Sequence, residues 1–164
     1  MSHPLIAALA TLLAFVVGLT LPDVDMALWL GHRSAVTHSV LLPAALLARR
    51  RWWPGACGFG GGLGLHLAAD FFPNRMIGFA TVKLPLVGAL SAAGSYWWLG
   101  VNALACLLLA ACVLGRLHAG GAAVLVAGAA GVAGVAYLWR TDGGWPVLAI
   151  VAVLVWAGWR WRRA

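Results

Sequence analysis

Long apolar runs, broken by short polar or basic punctuation, make up most of the chain. The first runs from about Pro4 to Leu21, and a polar stretch from Pro22 to Arg33 follows it. The second, Ser34 to Ala48, is shorter and contains Pro43; Arg49, Arg50 and Arg51 stop it, and Trp52 and Trp53 read as interfacial anchors. The third runs from Gly55 to Phe72. Pro73 to Tyr96 is the least regular part and reads as a loop, a re-entrant segment or an interfacial helix. Three more apolar runs follow, Trp97 to Leu114, Gly120 to Tyr137 and Trp145 to Trp159. Each run approaches the ~20 residues that cross ~30 Å of hydrocarbon. The pattern predicts an all-α fold, a polytopic transmembrane helical bundle of about six spans. It predicts a single integral membrane domain over residues 1–164, with the polar chemistry in about 1–96 and an apolar helical half in about 97–164.

The third run carries Gly58, Gly60, Gly61, Gly62 and Gly64, which include two Gly-x-x-x-Gly spacings. Such spacing lets helix backbones approach closely. A phosphate-cradling loop would need Gly-Lys-Ser/Thr after the glycines, and none follows. The first run has no Lys or Arg before it, and the only Ala-x-Ala comes early, so it is expected to be a retained span rather than a signal peptide.

Composition agrees with a membrane protein. The chain is 63% hydrophobic and 9% charged, against about 25% charged in soluble domains. Mean hydropathy is +0.95. The net charge of +7 comes from residues at the ends of apolar runs, where they set topology and touch lipid headgroups. No basic stripe suits nucleic acid. Cys57, Cys106 and Cys112 lack Cys-x-x-Cys spacing and read as small buried hydrophobes. Six spans would place Arg49, Arg50, Arg51, Arg116, Arg160, Arg162 and Arg163 on one side, with Arg33, Arg75, Lys83 and Arg140 on the other. The positive-inside rule makes the first side cytoplasmic, together with both termini.

The acidic residues are few and there is no glutamate. Asp23, Asp25 and Asp70 lie at the ends of predicted spans, with His32, His38 and His66 beside them. Alternation of spans brings all six to one membrane face. His66 and Asp70, four apart, share a helix face. Pro22 ends regular structure beside Asp23 and Asp25, so a bent backbone is expected to turn both carboxylates inward. His32 and His38 are six apart, so one of them, His32, is expected in the loop before the helix. Three gathered carboxylates repel each other without a cation. Mixed carboxylate and imidazole ligands suit a divalent transition metal, zinc first, with manganese or iron also fitting, as one or two ions. His3 and His118 lie outside the cluster, and Asp142 reads as part of a loop between spans.

Three strings in this region resemble a known pattern: Leu21-Pro22-Asp23-Val24-Asp25, then His32-Arg33-Ser34-Ala35-Val36-Thr37-His38-Ser39, then His66-Leu67-Ala68-Ala69-Asp70. In that order they are similar to the membrane-bound metal-dependent hydrolase family, also labelled LexA-binding inner-membrane hydrolase. The likeness covers about residues 5–95, and the middle string is its most specific part. It implies a bacterial or archaeal inner-membrane protein with metal-site roles for Asp23, Asp25, His32, His38, His66 and Asp70, and supporting roles for Arg33, Thr37 and Ser39. Ser34 stands where the family usually has glycine, the connection from Asp25 to His32 is short, and Phe71-Phe72-Pro73-Asn74-Arg75 replaces a Thr-Pro-x-Gly-like string.

The expected activity is hydrolysis by metal-activated water. Asp70 is the expected general base and Arg33 the group that stabilises developing negative charge, with Arg75 or Lys83 assisting. A site at the membrane face favours a lipid or lipid-linked ester or phosphoester as substrate. Two other classes stay open: a structural or assembly subunit with a structural metal and a membrane-protein partner or second copy, and a metal-ion transporter.

Overall fold

Helix α1 (Pro4–Thr20) starts with proline at a position that needs no amide donor, and tightens at its end into a 3₁₀ turn, Leu21–Asp25. It turns Leu5, Leu9, Leu13 and Val16 outward, a large apolar face suited to lipid. Helix α3 (Trp53–Phe71) is buried along nearly its whole length. The two helices run parallel, since Thr11 meets Gly58, Phe15 meets Gly62 and Leu19 meets His66 in step. A side chain on Gly58 or Gly62 would run into the backbone carbonyls of Thr11 and Phe15. The second glycine pair serves the opposite neighbour: Gly60 and Gly64 lie against Cys106 and Ala103 of α4 (Ala92–Leu117), which runs antiparallel. Helices α5 (Gly121–Thr141) and α6 (Pro146–Trp161) complete the bundle, Gly134 facing Leu65 and Val147 joining Leu138 and Ala69 in the core.

The computed structural model describes residues 4–72, 75–117, 121–141 and 143–161. His3, His118, Asp142, Arg162 and Arg163 fall outside the described residues. Among the described residues the protein is mostly helical, with six helices, three of which are long and apolar enough to cross a membrane: α1 with its 3₁₀ extension, α4 and α5. The expected six spans are therefore corrected to three. Six glycines, His66 and Asp70 dilute the apolar content of α3. At 16 residues, α6 reaches about 24 Å, short of ~30 Å of hydrocarbon.

The largest departure is the predicted second span. Residues 34–48 form only one five-residue helix, α2 (Leu41–Ala45), and a short 3₁₀ turn. Ser34, Thr37 and Ser39 place hydroxyls on nearby backbone groups, in competition with helix bonding, and Pro43 removes a donor. The stretch nonetheless returns the chain from the end of α1 to the start of α3. Irregular backbone buried in a bundle needs partners from the protein, and α4 supplies them. The Asn102 side chain accepts the Val40 amide at 2.9 Å, and the Trp98 indole donates to the His38 carbonyl at 2.8 Å.

Residues 75–91 are neither a membrane helix nor structureless. They hold a 3₁₀ turn (Gly78–Ala80) and a small antiparallel hairpin, β1 (Lys83–Leu84) with β2 (Gly88–Ala89). Ser34 bridges to Lys83 in parallel, which ties this hairpin to the start of the returning segment.

Gly62→Val is expected to destabilise the bundle by about 1–3 kcal/mol through overpacking, whereas Gly128→Val, with nothing within 4 Å, leaves it unchanged. Unfolding in mixed micelles measures both, and equal effects would refute the backbone-contact account.

Candidate metal centre

His66 enters the site because its helix face, shared with Gly58 and Gly62, is the one held against α1. Its Nδ1 lies 3.0 Å from the Leu19 carbonyl and 2.9 Å from the Tyr137 hydroxyl of α5. A carbonyl only accepts, so Nδ1 carries the proton and Nε2 presents a bare lone pair. His38, fully buried, follows the same logic. Thr37 donates its hydroxyl proton to the Ser34 carbonyl at 3.1 Å, which leaves its oxygen free to accept from His38 Nδ1 at 2.9 Å. The Ser34 carbonyl and Asp25 Oδ2 lie 3.2 and 3.7 Å from the same nitrogen. His38 Nε2 is therefore also bare.

The two Nε2 atoms stand 3.4 Å apart, and Asp70 Oδ2 lies 3.3 Å from that of His38 and 3.6 Å from that of His66. Four ligands at about 2.0–2.1 Å from an ion define a tetrahedron with edges of about 3.3–3.4 Å. His38, His66 and Asp70 thus occupy three corners of such a figure, and they form a group able to hold a metal ion. Three lone-pair donors converge, and a single proton satisfies only one pair of them.

Asp70 is fixed from behind. Arg33 donates from one terminal nitrogen to Asp70 Oδ1 at 2.7 Å and from the other to the Ala80 carbonyl at 2.7 Å. Arg33 is buried and adopts a left-handed backbone, φ 56°. Such conformations are rare outside glycine and mark places where surrounding contacts override local preference.

The other expected ligands divide. Asp25 is fully buried, with Oδ2 accepting the Ser34 amide at 2.9 Å; Oδ1 has no hydrogen-bond partner among the described residues. It stands behind His38, as carboxylates stand behind metal-bound imidazoles. Asp23 does not turn inward with it. Its side chain is 60% exposed, with Oδ1 3.8 Å from His66 Nε2. A 3₁₀ turn has three residues per turn, so positions two apart point in different directions. His32 lies in the loop, as expected, stacked on Phe79 at 4.3 Å between ring centroids. Burial, then the neighbouring Arg33 charge, lowers its pKa from the ordinary histidine value.

Sequence reasoning assigned no role to α4 or α5. Trp98 nonetheless holds the His38 carbonyl, Asn102 the nearby Val40 amide and Tyr137 the His66 ring. The available signal was a polar side chain inside an apolar helix, which in a membrane asks for a partner. Comparison with protein-family models, curated proteins and solved structures returns no match.

His38→Ala and His66→Ala are each expected to abolish tight binding of one zinc ion, while His32→Ala retains it. Asp25→Asn is expected to weaken affinity about 10–100-fold through its effect on His38. Elemental analysis and competitive zinc titration of purified protein check this; full retention in both His→Ala variants would sink the assignment.

Proposed function

We propose that the protein is a membrane-embedded metal-dependent hydrolase acting on a lipid or lipid-linked ester or phosphoester. The observation that carries this reading is the asymmetry of the site. Buried His38 and His66, with half-buried Asp70, offer three ligand atoms, and the side toward Asp23 is open. Catalytic zinc sites characteristically have three protein ligands and one open position, whereas structural sites are closed by four. The resemblance of the three sequence strings to membrane-bound metal-dependent hydrolases points the same way. The positions of Arg49, Arg50, Arg51 and Arg116, at the helix ends away from the cluster, support a cytoplasmic N-terminus with the site toward the outer face.

A bound divalent ion supplies Lewis acidity, acidifying water to near neutrality and polarising an ester or phosphoryl oxygen. The chain's own residues have separable tasks. Asp70, with one oxygen on Arg33 and the other facing both histidines, suits the role of ligand better than that of base. Asp23, solvent-reachable beside His66, suits proton acceptance. Arg33, with both terminal nitrogens engaged, acts by positioning Asp70.

One observation favours a second reading, a structural ion in a membrane assembly: His38 and His66 are almost completely buried. The test is turnover of a panel of lipid esters and phosphoesters by zinc-loaded protein in micelles. Metal-dependent turnover is expected, and Asp23→Asn should lower it by about 10²–10⁴-fold with metal content unchanged. No turnover across the panel, with the metal-free protein unfolding more readily, would replace the hydrolase by the structural reading.

A further inference from the structure

Two loops flank the metal centre, and both carry their largest apolar side chains outward. In the turn after Asp25, Trp29 is 96% exposed. At the hairpin tip between β1 and β2, Leu86 is fully exposed, beside exposed Val87. Ile77 and Phe79, in the turn before the hairpin, are also exposed. Trp29 and Leu86 both adopt left-handed backbone, φ 58° and 66°. Bulky residues rarely take this conformation. Each loop therefore holds a strained turn with an apolar side chain at its tip, an arrangement that water does not favour.

The loops lie at the end of the bundle where α4 begins and α5 ends. Val82 donates its amide to the Ser95 hydroxyl at 3.0 Å, and Leu90 donates to the Val82 carbonyl at 2.8 Å, which fastens the hairpin to the first turn of α4. Helix α4 has 26 residues, about 39 Å, so it overshoots ~30 Å of hydrocarbon. Exposed Trp97 follows Ser95 by two residues, and exposed Trp139 packs edge-on against Trp145 between α5 and α6 at the same end of the bundle. Tryptophans on membrane helices mark the headgroup boundary. Lys83 and Arg75 lie in the same loops, and Lys83 stands over the Phe79 ring, donating to the Phe79 carbonyl. Two of the three aspartates at this face, Asp25 and Asp70, are turned into the site.

We infer that the turn carrying Trp29 and the hairpin carrying Leu86 form a collar that dips into the headgroup–acyl boundary of a leaflet containing anionic phospholipid. The apolar tips enter the acyl edge, and Lys83 and Arg75 meet the phosphates. The collar sets the mouth of the metal centre, at Asp23, level with the ester and phosphate groups of the leaflet. Resting on the hydrolase reading, this makes the substrate class a membrane-resident lipid presented from the bilayer rather than a solute delivered from water.

The test places an environment-sensitive fluorophore at Leu86→Cys or Trp29→Cys. The background is Cys112→Ser, since Cys57 and Cys106 are buried. The protein is reconstituted in phosphatidylcholine–phosphatidylglycerol vesicles. Nitroxide on the upper acyl chain of the lipid is expected to quench both labels at least two-fold more than aqueous iodide does. Strong iodide quenching with no lipid-borne quenching at both positions would overturn the collar. So would protection from both quenchers together with a covalent dimer of Leu86→Cys on oxidation, which would assign the surface to a second copy. The readout needs neither metal nor turnover, so failure of the hydrolase reading leaves it interpretable.

Discussion

Helices α1 and α3 touch backbone to backbone because Gly18, Gly58 and Gly62 carry no side chains at the crossing. In a bilayer, apolar side chains gain little by leaving lipid for protein, so helix association depends on close van der Waals contact and interhelical hydrogen bonds. The contact also has a chemical consequence. The last turn of α1 is held so close that its Leu19 carbonyl reaches His66. That carbonyl decides which imidazole nitrogen keeps the proton, and so which one faces His38 and Asp70. Packing at three glycines therefore sets the protonation pattern of a ring one helical turn beyond them.

A second constraint acts on the returning segment. Its backbone cannot be left unsatisfied inside the bundle, yet its hydroxyl residues and Pro43 keep it from closing into a long helix. Trp98 and Asn102 of α4 resolve the conflict, and by fixing the His38 carbonyl and the Val40 amide they also fix where the His38 ring enters the cluster. From the other side Arg33, through Asp70 and Ala80, joins the returning segment to α3 and to the turn before the hairpin. The site is thus assembled from every part of the bundle that meets at this face.

Much of the cluster was legible in the chain. The four-residue spacing of His66 and Asp70 on a helix, and the parallel course of α1 and α3, follow from local rules and alternation of apolar runs. The separate fates of Asp23 and Asp25 were not, because they depend on the helix tightening to 3₁₀ geometry at Pro22, which composition does not specify. The predicted second span failed for a related reason. Its apolar content reads as membrane helix, while Ser34, Thr37, Ser39 and Pro43 act through local hydrogen bonds that an average over the segment conceals. Asn102 and Tyr137 meet partners 62 and 71 residues away, a distance that no spacing rule spans.

The converging lone pairs also bear on stability. With both Nδ1 protons committed to oxygen partners, the bare Nε2 atoms and the Asp70 carboxylate oppose one another within 3.6 Å. A proton placed there neutralises one contact and leaves the others. A divalent cation meets all three at bond lengths the spacing already matches. The folded bundle thus gathers three potential ligand atoms that the unfolded chain keeps apart, with Arg33 on the far oxygen of Asp70. Linkage then couples the ion to the fold, since whatever binds the native state alone stabilises it in proportion to its affinity. Asp25 behind His38 and Arg33 behind Asp70 would hold the ligand atoms in place for such an ion. An ion held by His38, His66 and Asp70 would brace the junction of α3 and the returning segment, which supply those three residues.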